Sequence, residues 1–190
     1  MYLFFCIFIK ILNPKKQAMN IQIRPEHKND YSSISMLNDL AFGQEAEGNL
    51  IEKLRKNRDF IKELSLVACM GNEVVGHILF TKVRIKNNEE EFHSLALAPM
   101  CVLPELQGLG IGSQIIKKAL QKAVKLGYES VIVLGHDSYY PRFGFAPASK
   151  FQITCPFEAP DSNFMALELK KGSLDQVSGC VEYPKEFNDV

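Results

Sequence analysis

Between residues 100 and 113 the chain reads Met100-Cys101-Val102-Leu103-Pro104-Glu105-Leu106-Gln107-Gly108-Leu109-Gly110-Ile111-Gly112-Ser113, an apolar strand end that turns through a glycine-rich loop into a helical pattern beginning at Gln114. A strand that feeds such a loop and then opens a helix leaves unpaired backbone N–H groups at the helix's positive end, which is an anion site. Glycines at 108, 110 and 112 let the main chain approach a phosphate where a Cβ would obstruct it, so a pyrophosphate is the expected guest. The loop is not a dinucleotide fingerprint, because Gly108-x-Gly110-x-Gly112 is followed by Ser113 and the strand comes too late in the chain. It is not a Walker loop either, since no Gly-Lys-Ser/Thr ends it.

The segment Gln107-Gly108-Leu109-Gly110-Ile111-Gly112 resembles the acetyl-CoA loop, Gln/Arg-x-x-Gly-x-Gly/Ala, of the GNAT superfamily of N-acetyltransferases, and the apolar Val102 five residues upstream also fits. The resemblance implies that Met100, Cys101 and Val102 hydrogen-bond the pantetheine through their backbone. It likewise places Gln107 to Ser113 on the cofactor, Leu109 and Ile111 included. A second segment, Tyr139-Tyr140-x-x-x-Gly144-Phe145, resembles the family's aromatic-Tyr-x-x-x-Gly-Phe, which implies that Tyr140 sits beside the thioester sulfur and protonates the departing thiolate. The two motifs lie 33 residues apart (107 to 140), so both should reach the carboxyl ends of adjacent parallel strands, where α/β sheets bind ligands. The family often adds an asparagine near the second motif; Asp137-Ser138 shows none, which leaves that contact unassigned. The resemblance spans roughly residues 19–170.

Direct transfer needs an acid at the sulfur, a donor for the oxyanion and a base for the attacking amine. A backbone N–H near Cys101 is the expected oxyanion donor. Glu47, at the head of the second helical pattern, is the first candidate for the base, with His93 and His136 next. Glu47 also has a structural reading, as a helix-start charge satisfying the dipole. Cys101 beside the cofactor suggests an acetyl-cysteine relay, but its side chain reads better as packing as a small hydrophobe. Lys117 and Lys118 could reach the ribose phosphate or stand in solvent. Glu45, Glu47, Glu158 and Asp161 hint at a cationic amine acceptor.

The elements that must hold these groups follow from periodicity. Ile21 and Ile23 alternate with polar residues as a half-buried strand ended by Pro25; from Asn29/Asp30 as a cap, Ile34, Leu37, Leu40 and Ala41 take helical spacing, and after Gly43 a second helix carries Glu47, Leu50, Ile51 and Leu54. Runs at 64–70, 74–85 and 92–103 predict three antiparallel strands, joined at Gly71-Asn72 and Asn87-Asn88, with Glu89-Glu90-Glu91 at a solvated tip. Ile115, Ile116, Ala119, Leu120, Ala123 and Val124 predict a helix stopped by Gly127, and 130–134 a buried parallel strand, making one βαβ unit. Residues 151–155 and 164–169 suggest a closing strand pair. The fold class is therefore α/β of the mixed α+β kind, a GNAT-like acyl-CoA N-acyltransferase fold with a twisted mixed sheet of about six to seven strands flanked by helices.

With 190 residues, 46% apolar and 23% charged, the chain suits one domain with a sizeable core. Basic and acidic residues both total 22 without long like-charge blocks, which argues against a nucleic-acid or membrane arm. Five cysteines, at 6, 69, 101, 155 and 180, contain no C-x-x-C and fit a reducing cytoplasm rather than a disulfide or zinc framework. The expected division is 1–18 as an apolar extension ahead of an alternative start at Met19, 19–170 as the acetyltransferase domain, and 171–190 as a tail packed on or extending it. The apolar run 1–12 is too short to span a bilayer, which leaves a membrane-surface anchor or a helix packed on the domain as the other readings. Expected partners are acetyl-CoA and an amine, with a homodimer as an option and no metal. A non-catalytic acyl-CoA-binding module is the alternative to an enzyme.

Overall fold

Three long strands in succession make the backbone of the molecule, for which the computed structural model describes residues 20–88 and 90–189. The expectations for 1–18, for a start at Met19 and for Glu89 lie outside the described residues. β1 (Ile21–Pro25), β2 (Phe60–Met70), β3 (Glu73–Lys86) and β4 (Glu91–Val102) form an antiparallel run in that order. The turn at Gly71, φ 61°, joins β2 to β3 where the sequence pattern puts a hairpin. α1 (Tyr31–Phe42) and α2 (Ala46–Leu54) make a helical hairpin between β1 and β2. α3 (Ile111–Lys125) then leads to β5 (Ser130–Leu134), which lies parallel to β4.

Side-chain alternation sends successive residues of β2 to opposite layers. Leu66 and Ala68 pack with Ile111, Ile115, Ile116 and Ala119 of α3, while Val67 and Cys69 pack with Ile34, Leu50, Ile51 and Leu54 of the hairpin. Full burial of a side chain such as Leu66 or Ile51 contributes ~1.5–3 kcal/mol, so both helical layers are held by the same strand.

The hairpin is also fixed by charge. Arg55, just after α2, donates to both carboxylate oxygens of Glu26 at 3.0 and 2.8 Å and lies 3.8 Å over the Tyr31 ring. His77 of β3 is fully buried beside this pair, its Nε2 3.1 Å from Ser65 Oγ and 3.8 Å from Glu26. Asp30 does not cap α1 with its side chain. Its carboxylate instead accepts from Arg24 and from the His27 N–H, and the Arg24 hydrogen bond holds it below the usual carboxylate range.

The far end of the chain departs from expectation. Residues 151–155 and 164–169 do not pair with each other. β8 (Phe164–Glu168) lies antiparallel on β5 and also pairs with β6 (Ala146–Pro147), whereas β7 (Ile153–Thr154) pairs in parallel with β9 (Gly179–Glu182). β9 in turn takes the edge of β3 at Arg84, Ile85 and Lys86, because β2 reaches only as far as Thr81. The tail after residue 171 thus supplies a strand and, through Phe187, part of the core under the hairpin. With these short strands the sheet has nine members among the described residues, against the expected six to seven.

Candidate functional site

β4 and β5 pair only at Leu95 with Val131 and at Ala96 with Ile132. Beyond that point Ala98 and Pro99 stand as a bulge opposite the single residue Leu79, and β4 bends away from β5. A gap opens between the two strands. On its other edge β4 remains paired with β3, with Met100, Cys101 and Val102 opposite Ile78, His77 and Gly76. The Leu103 N–H donates to the Val75 carbonyl, and antiparallel alternation from that bond turns the N–H of Cys101 toward β3 and those of Met100 and Val102 toward the gap. The Cys101 amide, expected as an oxyanion donor, therefore faces β3, and the amides of its two neighbours face the gap.

The glycine loop closes the wide end of the gap. Gly110 is the residue ahead of α3, which begins at Ile111 rather than at Gln114, and both Gly108 and Gly110 hold positive φ, 76° and 86°. The first helical bond is Gln114 N–H to the Gly110 carbonyl; from Gly108 to Ser113 no backbone N–H meets a backbone acceptor among the described residues. Gly112 has another reason to be glycine. A Cβ there would lie 2.7 Å from Tyr139 Oη and 2.8 Å from Met100 Cε, so it serves close packing across the gap rather than a left-handed turn. The Gln107 amide is also engaged, donating to the Val102 carbonyl at 3.2 Å and pinning the loop to the strand.

Tyr140 stands on the β5 side. Gly135 makes room for its ring, which a Cβ at that position would strike, and the turn through Gly144, φ 96°, brings Phe145 edge-on at 5.7 Å. These contacts give the Tyr-x-x-x-Gly-Phe spacing its physical meaning. At 8% exposure the ring is buried, and burial pushes the hydroxyl well above the usual tyrosine range, so it carries its proton throughout neutral pH.

One cavity of about 550 Å³ gathers these parts. Met100, Cys101, Val102, Gln107, Gly108, Gly110, Ile111, Gly112 and Ser113 line it, as do Tyr139, Tyr140, His136 and Arg142, with Ala41 and Phe42 from the end of α1. Leu109 is outside the lining and 52% exposed. Glu47 is also outside it, buried at 9% exposure with Gln44 donating to its two oxygens at 3.1 and 3.2 Å. Its charge nevertheless acts on Cys101: burial, with Glu47 adding to it, pushes that thiol up to about 12. His93 is removed from contention, for it lines a separate cavity with Arg58, Lys82 and Tyr128, nine residues back along β4 or about 30 Å from Val102 at a strand's rise. Glu45, Glu158 and Asp161 do not line the cavity, and Lys117 and Lys118 stand exposed on α3. His77 and Arg142 were not singled out from the sequence; nothing in their local pattern distinguishes a buried or stacked side chain from a solvated one.

The model of the acetyltransferase (GNAT) family matches residues 32–145. The chain belongs to the GNAT acetyltransferase family. This GNAT chain is 36% identical over 137 residues to the Escherichia coli protein named uncharacterized N-acetyltransferase YjhQ, across 72% of this chain and 76% of that protein. Among solved structures it is similar to the crystal structure of the GNAT family N-acetyltransferase YhbS from Escherichia coli in complex with CoA, with a TM-score of 0.83 and 29% identity over 93% of this chain and 96% of that one. A GNAT family acetyltransferase from Brucella melitensis in complex with acetyl-CoA gives a TM-score of 0.72 and 30% identity over 89% of this chain and 99% of that one. The protein is thus an acyltransferase with the mixed fold of its family. Among its described residues no group of three or more His, Cys, Asp or Glu side chains could hold a metal ion, and no helix is long and apolar enough to cross a membrane.

Proposed function

We propose that the protein moves the acetyl group of acetyl-CoA directly to a primary amine in the gap between β4 and β5. The observation that carries this reading is the meeting, in one cavity, of the bare amides at the head of α3, the freed main chain of β4 and the protonated Tyr140 hydroxyl. The amides from Gly108 to Ser113, at the positive end of α3, hold the pyrophosphate. Met100 and Val102 offer the main-chain groups that align the pantetheine, and one of their N–H groups meets the oxyanion. The amine nitrogen bonds to the thioester carbon as the carbon–sulfur bond breaks, and Tyr140 gives its proton to the leaving thiolate.

Glu47 is the base in this reading: its charge acts on Cys101, which lines the cavity, and from outside the cavity it accepts the ammonium proton through water. A thiol held up to about 12 is not a nucleophile at neutral pH, which favours direct transfer over a relay through Cys101. The free thiols of Cys69, Cys101, Cys155 and Cys180 support a reducing, cytoplasmic setting.

The test is mass spectrometry of products from acetyl-CoA with a pool of polyamines, amino acids, aminoglycosides and peptide N-termini. An acetylated amine that disappears with Tyr140→Phe supports the reading. Tight acetyl-CoA binding with no product across the pool would overturn the assignment of a primary amine of these classes as the acceptor.

A further inference from the structure

Arg142 sits on the turn that follows Tyr140 and faces the cavity from the β5 side, across from the glycine loop. It is held in place. Its Nε donates to the Tyr139 carbonyl oxygen at 3.1 Å, and its guanidinium carbon lies 4.2 Å over the Tyr139 ring and 5.8 Å from that of Phe143. The same Tyr139 ring carries the hydroxyl that rests at Gly112, so the guanidinium is fastened within one ring's length of the head of α3. Among the described residues its two terminal amino groups meet no carboxylate and no Asp or Glu lines the cavity. An exposed arginine ordinarily spends its rotamer freedom in solvent; here the freedom is already lost to the stack, and a planar donor fork is left facing a carboxylate-free cavity.

Resting on the acetyl-CoA reading, we propose that Arg142 is a cofactor-binding residue that grips a phosphate of CoA from the bank opposite the glycine loop. The chemistry it fits is a phosphate oxygen pair met by two parallel N–H groups. Both the pyrophosphate and the 3′-phosphate offer such oxygens.

The experiment is calorimetric titration of CoA and of dephospho-CoA into the wild-type chain, Arg142→Gln and Arg142→Lys. Arg142→Gln is expected to weaken CoA by about 10-fold, and Arg142→Lys to fall between it and wild type, because lysine keeps the charge but loses the fork and the stack. If the loss persists with dephospho-CoA, the contact is to the pyrophosphate; if it vanishes, the contact is to the 3′-phosphate. A folded Arg142→Gln protein that binds CoA within two-fold of a CoA-binding wild type overturns the assignment and leaves the acetyl-CoA reading standing. A wild-type chain that binds no CoA removes both.

Discussion

At the scale of single residues, the site separates glycines by what each one does. Gly110 carries a left-handed φ of 86° with nothing within 4 Å of the place a Cβ would take, so a substitution there is resisted by the backbone and not by a clash. Gly110→Asp should strain that turn and set a negative charge where a pyrophosphate would rest, weakening acetyl-CoA by at least ~10-fold, or about 1.4 kcal/mol; titration calorimetry on the folded variant reads it, and unchanged affinity would remove the phosphate site. Tyr140→Phe keeps the ring that fits over Gly135 and against Phe145 and loses only the hydroxyl. Cofactor affinity should then stay within a few-fold while kcat falls by about 10²-fold, the low end for general acid catalysis because a thiolate leaves readily. A steady-state kcat near wild type would make this tyrosine structural. That the loop and Tyr140 would line one cavity was legible in the sequence because their spacing is local, fixed by one turn each. The electrostatic effect of Glu47 on Cys101 was not, since it depends on how α2 lies across the sheet.

At the scale of elements, the hairpin that carries Glu47 and Phe42 is anchored by Arg55 and Glu26, whose side chains are only 7% and 3% exposed. Removing one member of a buried pair leaves the other charge without compensation. Arg55→Met is therefore expected to cost about 3–5 kcal/mol, which a thermal melt of a chain this size would show as a fall of roughly 6–20 °C. A loss below about 1 kcal/mol would mean that water reaches Glu26 and that packing alone seats the hairpin. Helices and long strands were readable from their periods, as α3 shows with Ile115, Ile116, Ala119 and Ala123 all inward. The two-residue strands were not. Ile153–Thr154 has no period to read, and its partner β9 is placed by the stretch of β3 that β2 leaves uncovered, far along the chain from any local signal.

At the scale of the whole molecule, buried titratable groups shape stability on both sides of neutrality. His77 is held to about 3 against an ordinary 6.5 by its burial and by the Arg55 charge, so as pH falls below 6.5 the unfolded chain takes up a proton that the folded one refuses. Stability is lost across that window, and the depressed Asp30 adds to the loss below 3.8. Tyr140 and Tyr183, both raised by burial, act in the opposite direction: their contribution is intact below 10 and is lost as pH rises past it. Melting curves between pH 7 and 5 should show a slope that His77→Gln flattens; an unchanged slope would shift the effect to other groups. The opening between β4 and β5 has a consequence beyond catalysis. A sheet parted at its centre lacks a stretch of ladder, and under the proposed function a coenzyme lying along Met100 and Val102 would supply it, behaving as one more strand of the fold. By mass action a ligand present at about 100 times its dissociation constant adds ~2.7 kcal/mol to the folded state. Under that reading the protein's lifetime would be tied to the supply of its acyl donor, and a shortage of that metabolite would thin out the enzyme as well as idle it.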